Sequence, residues 1–161
     1  MVVSNASPII ILSSIGQLQI LPQIFQNIFI AQEVYDEVVG GGSLPGGREI
    51  TAAAFFEVKR ISRTISHIQN RYHIGKGEAA TIILAQELGA ELVLMDDKRA
   101  RDTAKVFHLN FIGTLKVLEL GFERGIIPDL RQVYGDLLHS KARIAPQLIN
   151  HSLAKYKLAP L

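Results

Sequence analysis

What most constrains this chain is a repeated order, in which short runs of β-branched and aliphatic residues are each followed by a stretch with helical periodicity. Val2-Val3 leads into Ser7-Pro8, which reads as an N-cap with proline at the first helical position. Ile28-Phe29-Ile30 leads into a helix over about 32–39, whose Val34, Tyr35, Val38 and Val39 make one apolar face. Residues 48–56 are predicted to be helical and 57–61 a strand. A helix predicted over 78–88 is apolar on nearly every side and is closed by Gly89, which marks it as central. Leu92 to Met95 is the clearest strand, continuous and apolar as strands covered on both faces are. It runs into Asp96-Asp97 and a helix to about 107, then a short strand at Phe111-Ile112 and helices near 114–124, 129–139 and 146–157. Such alternation predicts an α/β protein, a parallel sheet with helices on both faces. A chain of 161 residues is one domain's worth, expected to span 1–161 and to bury roughly 70% of its unfolded surface.

Composition removes several classes of function. With no Cys there is neither a disulfide nor a thiolate metal site, and no two of the five His residues stand at His-x3-His spacing, so a structural zinc is not expected. The first 32 residues carry no charge, but Pro8, Gly16, Gln17, Gln19 and Pro22 interrupt the run and no basic segment precedes it. Neither a signal peptide nor a spanning helix is expected, and the protein reads as cytoplasmic. A formal charge of +2 does not by itself argue for nucleic acid. After Asp136 there is no acid, while Lys141, Arg143, Lys155 and Lys157 remain, a surface for an anion or simply a solvated end. Residues 40–47 hold five of the 13 Gly and are expected to form a mobile loop, either a gate or a plain connector. No Gly-x-Ser-x-Gly, P-loop or Gly-x-Gly-x-x-Gly frame is present.

In an open parallel sheet, ligands sit beyond the carboxyl ends of the strands. Ser4-Asn5-Ala6-Ser7 follows the first strand and Asp96-Asp97 follows the strand at 92–95, so both groups fall on one edge if those strands are central. Glu78 joins them from the first turn of the apolar helix, just after Gly75-Lys76-Gly77. Each residue also has a local explanation: Asn5, Ser7, Asp96 or Asp97 as helix caps, Glu78 as a complement to the helix dipole. Together they are more telling, because carboxylates gathered on one edge stay ionised only if a cation offsets them, and oxygen ligands suit Mg²⁺ or Mn²⁺. Asp36 and Glu37 both border the apolar face of their helix while Glu33 points away from it, so periodicity does not choose between 36 and 37. Lys76, Lys98, Arg99, Arg101 and Lys105 suit a polyanionic substrate, or an ordinary solvated helix face. A phosphotransfer receiver is disfavoured, because its acid pair should follow the first strand.

Val2-Val3-Ser4-Asn5-Ala6-Ser7-Pro8, Val34-Tyr35-Asp36-Glu37-Val38, Gly75-Lys76-Gly77-Glu78-Ala79, Leu94-Met95-Asp96-Asp97-Lys98-Arg99-Ala100 and Ile112-Gly113-Thr114-Leu115 resemble, in this order, a prokaryotic branch of the PIN-domain family. The resemblance covers residue 2 to about 125. It implies a three-layer α/β/α sandwich with a central parallel sheet, and an Mg²⁺- or Mn²⁺-dependent ribonuclease of the VapC toxin type. The family's acidic cluster would fall on Asn5, Glu37, Glu78 and Asp97, with Asp96 beside it, so the resemblance selects Glu37 over Asp36. Lys76, Lys98 and Arg99 would position RNA. An antitoxin crossing the active-site groove and a homodimer or higher homo-oligomer are implied as partners, with no membrane. Asn5 stands where the better-known nucleases have Asp, and an amide oxygen ligates without bringing charge. The alternative is therefore a catalytically impaired module that binds RNA or a regulatory protein.

Overall fold

The computed structural model describes residues 1–41 and 45–161. Residues 42–44 of the glycine-rich 40–47 loop, read from sequence as a gate or a plain connector, lie outside the described residues. Five strands are present: β1 (Val2–Ser4), β2 (Ile28–Ala31), β3 (Phe56–Lys59), β4 (Leu92–Leu94) and β5 (Phe111–Ile112). They form one sheet in the order β3-β2-β1-β4-β5, and every pairing is parallel. The helices among the described residues are α1 (Ala6–Ser14), α2 (Ile20–Phe25), α3 (Gln32–Gly40), α4 (Gly47–Ala52), α5 (Ser66–Tyr72), α6 (Lys76–Leu88), α7 (Lys98–Val106), α8 (Thr114–Glu123), α9 (Leu130–His139) and α10 (Pro146–Lys155). The architecture is the three-layer α/β/α sandwich.

Parallel neighbours need crossover connections, and these are right-handed because a right-twisted strand feeding a helix packs back on the sheet only that way. The chain steps outward from β1 through β2 to β3, then returns across the sheet to β4, so the connections before and after β3 cover opposite faces. The long α6 makes the return, packing on β1, β2 and β4 between α5 and α7. A helix enclosed on several sides must be apolar around its circumference, and every residue from Gly77 to Ala85 except Glu78 is buried. Gly89 ends it in the left-handed conformation with φ +58°. The fully buried β-strand residues Val3, Ile28, Ile30, Val93 and Leu94 continue the same core, which extends to Leu153 of α10. Among the described residues, no helix is long and apolar enough to cross a membrane.

Three local expectations are revised. The first helix starts at Ala6 rather than after Ser7, with Asn5 at the N-cap position. Pro8 fits inside its first turn because the N–H it lacks has no helical partner there. The helix expected over 48–56 stops at Ala52, and Phe56 already belongs to β3. Two short helices, α2 and α5, carry no signal strong enough to have been read.

Candidate metal and active site

Because all five strands run the same way, the residues that follow each of them share one edge. Ser4 pairs with Leu94, and the Asn5 amide N–H donates to the Leu94 carbonyl at 2.9 Å. Asn5 thus stands beside the segment carrying Asp96 and Asp97. On the other side of β1, β2 passes directly into α3, which carries Glu33, Asp36 and Glu37. α6 begins at the same edge and contributes Lys76 and Glu78.

Asn5 occupies a helix N-cap yet makes no capping hydrogen bond. Its side chain is turned instead toward α6, in a residue only 1% exposed. The Thr81 hydroxyl lies 3.5 Å from its Oδ1, but that hydroxyl has one proton and donates it to the Gly77 carbonyl at 2.8 Å. Asn5 Nδ2 is buried with no partner. A buried amide left this way costs on the order of 1–3 kcal/mol, which a fold tolerates where the group has another use.

Gly77 explains how Glu37 reaches the same place. A Cβ there would stand 2.5 Å from Glu37 Oε2 and 3.5 Å from Asn5 Oδ1, so the bare backbone is what lets α3 and α6 approach with the carboxylate between them. Gly75 plays the same part for Glu78, whose carboxylate would meet any side chain at 75. Glu33, Asp36, Glu37, Gly75, Lys76, Gly77 and Glu78 line one cleft of about 600 Å³. Burial, and then the charge of Glu78, push the Glu37 carboxyl above its ordinary value. Among the described residues no cation forms an ion pair with any carboxylate of this cleft.

The structure therefore brings together Asn5, Glu37, Glu78 and Lys76. Glu33, which the helical wheel points away from the core, and Asp36, which the wheel leaves level with Glu37, line the same cleft, and Glu33 Oε2 is buried without a partner. The signal that finds Glu33 is its i, i+4 spacing from Glu37. Asp96 and Asp97 line the adjoining β4 side and are engaged there. Asp97 caps α7, its Oδ1 accepting the Ala100 N–H at 2.9 Å, while the residue itself is exposed. Both oxygens of Asp96 are taken by Thr114, one by its N–H at 2.8 Å and one by its hydroxyl at 2.7 Å, with Arg101 3.7 Å away. That contact ties the end of β4 to the start of α8. Lys98 and Arg99 are exposed in the first turn of α7, and Lys98 pairs with Asp102 at 3.8 Å.

Among the described residues, no three acidic or histidine side chains already stand close enough to enclose a metal ion. Of the four carboxylates that line the cleft, Glu37 and Glu78 act on each other, and with the buried Asn5 amide oxygen near Gly77 they offer a donor set of two carboxylates and one amide oxygen. That set fits Mg²⁺, which usually takes one or two carboxylates and keeps its other positions for water and phosphate. The uncompensated carboxylates, Glu33 Oε2 buried without a partner among them, are what such an ion would satisfy, whereas the unpaired Asn5 Nδ2 is a donor and calls for an acceptor instead.

A parallel α/β/α sandwich with carboxylates from two helices meeting at its C-terminal edge defines a class of hydrolytic domain in which side-chain oxygens face an open cleft. A family model, DUF3368, described as a PIN domain, matches residues 1–158, and the chain belongs to the PIN-domain family. No curated protein matches the sequence. PIN domains are in general nucleases that use divalent metal ions.

Proposed function

We propose that this protein is an Mg²⁺- or Mn²⁺-dependent endoribonuclease acting in the cytoplasm, the toxin of a toxin-antitoxin pair. The observation that carries the reading is that Glu37 and Glu78 line one cleft, Glu37 against Gly77 close to the Asn5 amide oxygen and Glu78 against Gly75, with no cation paired to either carboxylate among the described residues. Glu37, Glu78 and Asn5 would hold the ion, and Asp97 has a second carboxylate oxygen outside its cap. A bound divalent ion supplies a water of lowered pKa and stabilises charge on a phosphate. The chain's own residues do the rest. Glu37 and Glu78 fix where a phosphodiester can lie, since their charge repels it from everywhere in the cleft that is not neutralised. Lys76, exposed between the two glycines, and Lys98 and Arg99 on the opposite lip attract the RNA backbone. An antitoxin segment seated on the same cleft and a homodimer or higher homo-oligomer belong to this proposal on family resemblance alone.

A second reading is favoured by Asn5 and by the engaged Asp96, which leave the cleft short of negative charge: a PIN-like module that binds RNA or a regulatory protein without cleaving it. Glu78→Gln and Asp97→Asn are expected to abolish Mn²⁺-dependent cleavage of single-stranded RNA while melting like the wild type. Wild-type cleavage by both variants rejects the nuclease assignment. RNA binding in EDTA, with no turnover on adding Mn²⁺, selects the module.

A further inference from the structure

Between Glu57 and Glu78 the chain contains no carboxylate, while it carries Lys59, Arg60, Arg63, Arg71 and Lys76 together with His67 and His73. Both ends of this segment abut the carboxylate cleft. At the first, β3 pairs with β2 so that Lys59 lies beside Ala31, which places Arg60 level with Gln32 at the start of α3. At the second, Lys76 lines the cleft itself. In between, Arg63 and Ser62 are tied to Gln86 and Glu87 at the far end of α6. α5 then runs back along α6, and its outer face presents His67 and Arg71 one turn apart while Ile68 is buried beneath them.

Within this segment Lys59 pairs with Glu57 and Arg63 with Glu87, and the rest of its charge is left over, as is that of Arg99 on α7 and of Lys141 and Arg143 among the described residues. On α7, Lys98 and Lys105 both pair with Asp102 and Arg101 pairs with Asp96. In the C-terminal segment, Lys155 is held by Glu119 and Glu123. Arg60, Arg71 and Lys76 are exposed and have no ion-pair partner among the described residues. Exposed, unpaired cations in an acid-free segment that ends at a cleft are an electrostatic footprint for a polyanion.

We infer that this acid-free segment, through Arg60 after β3, Arg71 on the outer face of α5 and Lys76 at the start of α6, is the track on which the phosphates of single-stranded RNA are held as the strand enters the carboxylate cleft. This rests on the nuclease reading for the identity of the polyanion. An acidic peptide of the same charge has no reason to continue into a cleft lined by four carboxylates, whereas a phosphodiester that is to be cut must do so.

The test measures binding of a labelled single-stranded RNA in EDTA across a range of salt concentrations, beside Mn²⁺-dependent cleavage. Arg60→Gln combined with Arg71→Gln is expected to weaken binding about tenfold near 0.1 M salt and to reduce the slope of log K against log salt by roughly 1.4, as two lost contacts to a single strand should. Lys141→Gln combined with Arg143→Gln, in the other acid-poor segment, is expected to leave both quantities unchanged. Superimposable melting curves confirm that both pairs of substitutions fold. Unchanged slope and affinity in the α5 variant overturn the track; if that protein still cleaves and Glu78→Gln does not, the nuclease reading survives the loss. Displacement of the RNA by polyglutamate at equal charge concentration marks an acidic-peptide site and overturns the proposal too. Loss of binding in the α5 variant when Glu78→Gln still cleaves upholds the track and rejects the nuclease site instead.

Discussion

Two clusters of glutamates in this molecule are built in opposite ways. In the cleft, Glu37 and Glu78 have no cation paired to them among the described residues, and burial followed by the neighbouring charge holds Glu37 above its ordinary value. Glu119 on α8 is withdrawn further from water than either, 9% exposed, yet it accepts from Lys155 at 2.9 Å, from the Ser152 hydroxyl at 2.7 Å and from Lys116 at 3.3 Å. Burial there also works to raise the carboxyl, and the hydrogen bonds from Lys155, Ser152 and Lys116 outweigh it and hold Glu119 below its ordinary value. Ser152 in turn meets the hydroxyl of Tyr134, which burial pushes up to about 12. The second cluster joins α8, α9 and α10 and is complete. In the first, no cation is paired to the carboxylates among the described residues, which is what separates a site from a brace.

The largest expected effect exchanges the readouts of the two clusters. Glu78→Gln should lower Mn²⁺-dependent cleavage by on the order of 100-fold or more and leave urea-induced unfolding within about 0.5 kcal/mol of the wild type. Glu119→Ala should cost about 2–3 kcal/mol, because it strips charged hydrogen bonds from a buried hydroxyl and two lysines, while cleavage per folded molecule is unchanged. A destabilised Glu78→Gln that still cleaves would erase the distinction between the two clusters.

How far this was legible in the sequence follows the same line. Strands such as Leu92 to Met95 and the long α6 announce themselves because burial on several faces leaves unbroken apolar runs. α5 escapes notice because its only buried residue is Ile68, and α2 because it is six residues long with Pro22 inside it. The edge that collects Asn5, Glu78 and Asp97 follows from strand order alone. Which carboxylates are spent does not: Asp96 is engaged by Thr114, eighteen positions onward, and no local pattern records that. Nor does the wheel separate Asp36 from Glu37. Asp36 accepts a hydrogen bond from Gln32 at 2.8 Å, whereas Glu37 reaches Gly77 on another helix.

A smaller effect tests whether the cleft's geometry, rather than its composition, makes the difference. Gly77→Ala keeps every carboxylate and displaces the tip of Glu37, a flexible end that can move without disturbing the backbone. Mn²⁺ affinity is expected to fall about tenfold, roughly 1.4 kcal/mol. Calorimetric titration reads this directly. At a concentration 100 times its dissociation constant, Mn²⁺ should stabilise the wild type by about 2.7 kcal/mol and EDTA should reverse it, with less gained by Gly77→Ala at the same concentration. An unaltered titration would mean that Glu37 does not touch the ion.

The smallest effect is also the one that sets the clusters most directly against each other, because acid acts on them with opposite sign. Glu37 binds its proton more tightly in the folded chain than in the unfolded one, so its contribution is fully present below the ordinary value of 4.5 and is lost as pH rises through the raised folded value. Glu119 binds its proton less tightly when folded, so its contribution is present above 4.5 and is lost as pH falls through the lowered value. Metal-free Glu37→Gln should therefore gain stability relative to the wild type as pH rises from 4.5 toward 7. Glu119→Gln should lose least relative to the wild type in acid and most near neutrality. Adding Mn²⁺ should abolish the first trend, since an ion held by Glu37 takes the place of its proton, and leave the second untouched. Thermal melts at four or five pH values, with and without Mn²⁺, decide it: variants that drift in the same direction would show that both clusters are already neutralised, and that the cleft has no charge left for a metal to answer.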